Sequence, residues 1–134
     1  MVKKADEIKV KNPRNLIVYG KCMELNKMVY ECVKKFPKIE QYMMVSQVLR
    51  CCTSIGANLA EGNSQIYINK EINFYNNSIG SANELIYWMD NALQNNYLGK
   101  EQYANINELI EEILRILITM VKKLKNKEGN FAPI

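Results

Sequence analysis

Apolar residues recur along this chain in alternating steps of three and four, in four separate segments, and strand-like alternation never lasts more than a few residues. That spacing puts one apolar stripe on each of four α-helices. The first stripe is Val18, Cys22, Leu25, Val29, Cys32 and Phe36. It opens after Pro13 and is stopped by Pro37, because proline lacks an amide donor and clashes with the preceding turn. The second restarts near Ile39 and passes through Val45, Val48, Cys52, Ile55 and Leu59, with Gly62 expected as its left-handed capping residue. A polar loop over 63–69 leads to Asn69, the expected N-cap of the third helix. That helix carries Ile72, Tyr75, Ile79, Ala82, Ile86, Met89 and Leu93. After a turn over Asn95–Gly99, the fourth carries Tyr103, Ile106, Ile110, Ile113, Leu117, Met120 and Leu124.

Rods of roughly 20–27 residues are about 30–40 Å long, and short turns between them favour antiparallel neighbours. The fold class expected is all-α, an antiparallel up-down-up-down four-helix bundle. It occupies 15–126, between a basic N-terminal tail (1–14) and a C-terminal tail (127–134). The 134 residues suit one domain, and three Pro and six Gly are too few for a turn-rich all-β fold. The apolar runs are too short to span a bilayer and no signal peptide opens the chain, so a cytoplasmic protein without a membrane partner is expected. The fourth helix is apolar on nearly every side from Ile113 to Val121. Its surplus of Leu114, Ile118 and Val121 is expected to stay exposed on a lone bundle and to form an oligomer interface. Gly56 and Gly80, inside helices, call for close helix approach or, at Gly56, a bend.

Much chemistry is missing. There is no His, which removes the neutral-pH proton shuttle and the Glu-x-x-His pairs of a di-iron bundle. Cys22, Cys32, Cys51 and Cys52 have no C-x-x-C spacing, so they read as small apolar residues and no metal is expected. Glu108 and Glu111 form half of a magnesium-binding acidic set, with no Glu-x-x-Asp to answer it. No Gly-rich phosphate loop ends in Lys. No enzyme and no cofactor are expected.

The net charge of +4 is unevenly spread: +6 over 1–38, −5 over 39–121 and +3 over 122–134. An up-down-up-down bundle brings the start of the first helix and the end of the fourth to one pole. Lys3, Lys4, Lys9, Lys11 and Arg14 then join Lys122, Lys123, Lys125 and Lys127, and against Asp6, Glu7 and Glu128 the pole carries +6. Such a pole suits structured RNA or DNA through phosphate contacts, with solvated tails as the alternative. Lys34, Lys35 and Lys38 fall at the opposite pole, while Tyr19 is expected in the core.

The run Ser54-Ile55-Gly56-Ala57-Asn58-Leu59-Ala60-Glu61-Gly62 resembles a signature of the small four-helix-bundle proteins encoded in intervening sequences of bacterial 23S ribosomal RNA genes. The resemblance continues through Lys70-Glu71-Ile72, Phe74, Gly80-Ser81 and Glu84-Leu85, and covers about residues 15–126. It highlights Asn58, Glu61, Gly62, Glu71, Gly80 and Glu84, with Asn58 and Glu61 expected to tie the 62–69 loop to the bundle. The chain departs from the family at Gly56, where Pro is usual, and in the Asn63–Ile66 loop, which lacks the usual Arg. The family in turn is similar to the accessory variability determinant of diversity-generating retroelements. That likeness implies a ring-shaped homo-oligomer, a pentamer, that binds nucleic acid and a reverse transcriptase without catalytic activity. The alternative is a structural protein–protein interaction module with no nucleic-acid role.

Overall fold

The computed structural model of the protein describes residues 2–3 and 11–129. Four helices follow one another: α1 (Ile17–Val33), α2 (Met44–Asn63), α3 (Ile68–Gln94) and α4 (Lys100–Gly129). Each packs on its chain neighbour and α1 closes the ring on α4, with no diagonal contact among the described residues. Every neighbouring pair is antiparallel. As α1 advances from Cys22 to Asn26, its partners on α2 retreat from Gly56 to Cys52. Likewise Ile55 meets Ser78 while Gly62 meets Tyr75. The core is the sum of the four stripes, with Leu25, Val29, Val48, Ile55, Leu59, Leu85, Met89, Ile106, Ile110, Ile113 and Leu117 fully buried.

The helix limits differ from the expected ones in informative ways. The second helix begins at Met44 rather than near Ile39. After Pro37 the chain makes a 3-10 turn, Lys38–Glu40, and Ile39 faces solvent at 81% exposure. Gly62 is no left-handed cap: it lies within α2, and no described glycine has positive φ. Its role is steric. A Cβ there would sit 2.6 Å from Cε1 of Tyr75 and 3.0 Å from Cβ of Phe74, so its missing side chain lets α3 approach. Asn69 is not the N-cap of α3, which already begins at Ile68 behind an extended Tyr67. At the other end α4 runs on to Gly129, past the expected limit of 126.

Close approach holds at Gly56, whose added Cβ would lie 3.3 Å from Cβ of Cys22, and fails at Gly80, which has nothing within 4 Å. On α4, Val121 corrects another expectation. It continues the Ile113–Leu117 stripe by one more turn and is 9% exposed, buried within the single chain. Leu114 is half-buried against the core, and Ile118 remains exposed at 41%.

Candidate nucleic-acid interface

The start of α1, the end of α2, the start of α3 and the end of α4 share one pole. Arg14 enters it on a 3-10 turn, Pro13–Asn15, capped by Asn12, whose side-chain oxygen accepts from the Arg14 amide at 3.0 Å. On the last turns of α4, Leu124 leans on the core while Lys122, Lys123, Lys125 and Lys127 stand exposed. Lys11 lies near enough to Lys3 and Lys127 for the like charges to repel. Partial desolvation lowers its ammonium first, repulsion from Lys3 adds to this, and Lys127 pushes in the same direction, with Glu71 opposing. Lys4 and Lys9 lie outside the described residues.

Lys3 is the exception. It is buried, and its ammonium pairs with Oε1 of Glu71 at 2.9 Å. It also donates to the carbonyl of Gln65, while its amide donates to the Ile66 carbonyl at 3.2 Å. Val2 forms an isolated antiparallel bridge with Tyr67. The N-terminal segment thus straps the α2–α3 loop, and Lys3 is spent on an internal carboxylate rather than offered to a phosphate. Tyr75 donates to Oε2 of Glu71 at 2.6 Å. Oε1 has the ion pair alone, since no hydrogen bond of good geometry reaches it among the described residues. Burial, this hydrogen bond and the Glu71 charge all push the Tyr75 hydroxyl well above its ordinary range.

The other signature residues play local parts. The amide of Asn58 donates to the Ser54 carbonyl at 2.9 Å, within its own helix, so it does not tie the loop. Glu61 exposes its side chain, and its backbone carbonyl holds the loop by accepting from the Ser64 hydroxyl at 2.7 Å and the Gln65 amide at 3.1 Å. Ser54 and Ser81 share a hydrogen bond that links α2 to α3. Glu84 accepts from the indole of Trp88 at 3.1 Å on an exposed face. Glu71, by contrast, is central to the strap.

Elsewhere the surface offers less. A groove of about 630 Å³ between α1 and α4 sets Lys27 and Lys35 against Glu31 and Glu101, so its charge is balanced. Burial raises the Cys22 thiol from 9.0 to about 12 and the Cys32 thiol to about 11, which makes them poor nucleophiles at neutral pH. No group of three or more Cys, Asp or Glu that could hold a metal ion occurs among the described residues. No described helix is long and apolar enough to cross a membrane.

The profile described as 23S rRNA-intervening sequence protein matches residues 14–119, from the turn before α1 to the middle of α4. The chain belongs to the 23S rRNA-intervening sequence protein family. This member is also similar to a solved protein of unknown function from the S23 ribosomal protein family of Bacteroides thetaiotaomicron. The two are 31% identical, with a TM-score of 0.72, and the match covers 79% of this chain and 99% of that one. No curated protein matches this family member.

Sequence reasoning missed the partners of Glu71. Tyr75 is one turn on and legible in principle as an i, i+4 pair, but nothing in the sequence pairs Lys3 with a residue so distant along the chain.

Proposed function

We propose that this chain is a non-enzymatic nucleic-acid-binding accessory or scaffold protein whose contact surface is the basic pole. The carrying observation is the convergence of Lys11 and Arg14 with Lys122, Lys123, Lys125 and Lys127 on one end of the bundle. Buried Glu71 is paired with Lys3, and of the exposed cations Lys11 also feels its charge. Each Lys or Arg that meets a phosphate releases a condensed counterion, so binding is salt-dependent and largely blind to sequence.

Binding of the full chain to a structured RNA, titrated between about 50 and about 300 mM salt, tests this reading. Affinity should fall steeply with salt, and replacing the four lysines of 122–127 with Gln should flatten the log–log slope by about three to four. A flat wild-type profile, or no binding at the low end, returns the chain to the interaction-module reading.

The family likeness extends the proposal to a cytoplasmic ring-shaped homo-oligomer, a pentamer, with a reverse transcriptase as the class of partner. Exposed Ile118 beside half-buried Leu114 supports a subunit contact on α4. Sedimentation at micromolar concentration should give an oligomer that Ile118→Glu dissociates; a wild-type monomer refutes it.

A further inference from the structure

The turn between α1 and α2 stands at the opposite pole. Lys34, Lys35 and Lys38 are all exposed there, as are Ile39 at 81%, Tyr42 at 85% and Met43 at 68%. Solvent exposure of three large apolar side chains in five residues is an unusual outlay for a connection that has ample polar alternatives. The turn is held firmly. Amides of Glu40, Gln41 and Met43 donate to the carbonyls of Pro37, Lys38 and Glu40 at 2.9–3.1 Å. Phe36 tucks beneath it, its ring 5.4 Å from that of Tyr97, and Met44 is buried. The Tyr97 hydroxyl donates to Glu40 at 2.9 Å.

Glu40 is the one acid between residues 32 and 60, and Tyr97 holds it by a hydrogen bond that leaves its charge in place. Lys35 lines the groove with Glu31 and Glu101, while Lys38 has no ion pair among the described residues. Lys34 has an exposed partner in Glu31 at 3.0 Å, a screened pair that a polyanion displaces readily. Lysines at the end of α1 also suit its helix dipole, but that accounts for nothing at Tyr42. No hydrogen bond or ring contact holds Tyr42 among the described residues.

We propose that this turn is a second nucleic-acid site, one that takes unpaired nucleotides. A base stacks on the displayed ring of Tyr42, with Ile39 and Met43 extending the apolar platform, and the flanking phosphates sit against Lys34, Lys35 and Lys38. Every base has a π-face, so stacking tolerates any sequence but requires an unpaired strand. A duplex hides its base faces and gains only the charge. The site therefore adds strand selectivity that the basic pole lacks, and it stands or falls independently of that pole.

The test compares a labelled oligouridylate of about a dozen nucleotides with a blunt RNA duplex, by anisotropy on the full chain. Tyr42→Ala should weaken oligouridylate binding about tenfold and leave duplex binding within about twofold, whereas Tyr42→Phe should keep both. Replacing Lys34, Lys35 and Lys38 with Gln should lower the salt slope for oligouridylate by about two. Unchanged thermal unfolding of Tyr42→Ala confirms that an exposed side chain was removed without harm. The proposal is overturned if Tyr42→Ala leaves oligouridylate binding intact or weakens both ligands alike. It is also overturned if the loss is confined to vesicles of phosphatidylserine and phosphatidylcholine, which would assign the turn to a bilayer surface. A wild type that binds oligouridylate but not the duplex would remove the pole reading and leave this one standing.

Discussion

Gly62→Ala should destabilise the fold by about 2–4 kcal/mol, although it replaces a glycine inside a helix. At an open helical position the same change gains up to about 1 kcal/mol from reduced backbone entropy in the unfolded chain. At Gly62 the new methyl would meet the Tyr75 ring at 2.6 and 2.9 Å, far inside contact distance. Tyr75 is 1% exposed and has nowhere to retreat, and moving its ring breaks the 2.6 Å bond to Glu71. Gly80→Ala supplies the control, since nothing lies within 4 Å of its added Cβ, and it should stabilise slightly. Denaturant unfolding of the two variants should therefore move in opposite directions from wild type. A neutral Gly62→Ala would show that the close packing of α2 on Tyr75 is dispensable.

Lys3→Met should cost about 2–4 kcal/mol, a large effect for a residue so near the chain terminus. The reason is the carboxylate it leaves behind. Glu71 is 5% exposed, and without Lys3 the Tyr75 hydroxyl is its remaining hydrogen-bond partner, with the partly solvated Lys11 the remaining cation that acts on its charge. Glu71→Gln should cost less, about 1–2 kcal/mol, because the amide oxygen still accepts from Tyr75 and Lys3 can swing out to water. The double variant should be more stable than the sum of the two single losses predicts, with a coupling of at least about 1 kcal/mol. Unfolding by urea, followed by circular dichroism across the four proteins, measures that coupling; additive losses would show that the strap contributes nothing as a pair. Lys3→Met should also leave affinity for RNA close to wild type, in contrast to the substitutions on α4.

The four stripes were legible because a helix repeats every 3.6 residues and an apolar face must be covered, which the sequence records directly. The second helix was read too early for the same reason. Ile39, Tyr42 and Met43 keep helical spacing, yet spacing alone does not distinguish an apolar side chain that is covered from one that is displayed. Val121 shows the opposite error: counted as surplus on α4, it continues the buried stripe by four residues from Leu117. Asn58 was read as a loop tie from its place near the helix end, but its amide found the nearest free acceptor, the Ser54 carbonyl one turn back.

Charge divided along similar lines. The gathering of both chain ends at one pole followed from topology, and the repulsion that Lys127 exerts on Lys11 agrees with it. The fate of individual lysines did not follow. Lys3 and Lys11 carry the same charge eight positions apart, but one is buried on Glu71 and the other faces water.

By itself, then, the sequence determined the helix number, their antiparallel order and the segregation of basic ends from an acidic middle. These depend on periodicity and chain connectivity, which are local properties. Tertiary structure decided that Gly62 makes room for Tyr75 while Gly80 makes room for nothing in this chain, that Lys3 completes a buried ion pair, and that Tyr42 stands in solvent. Each of those depends on which atoms arrive within a few ångströms from distant parts of the chain, and identical residue types meet opposite surroundings there.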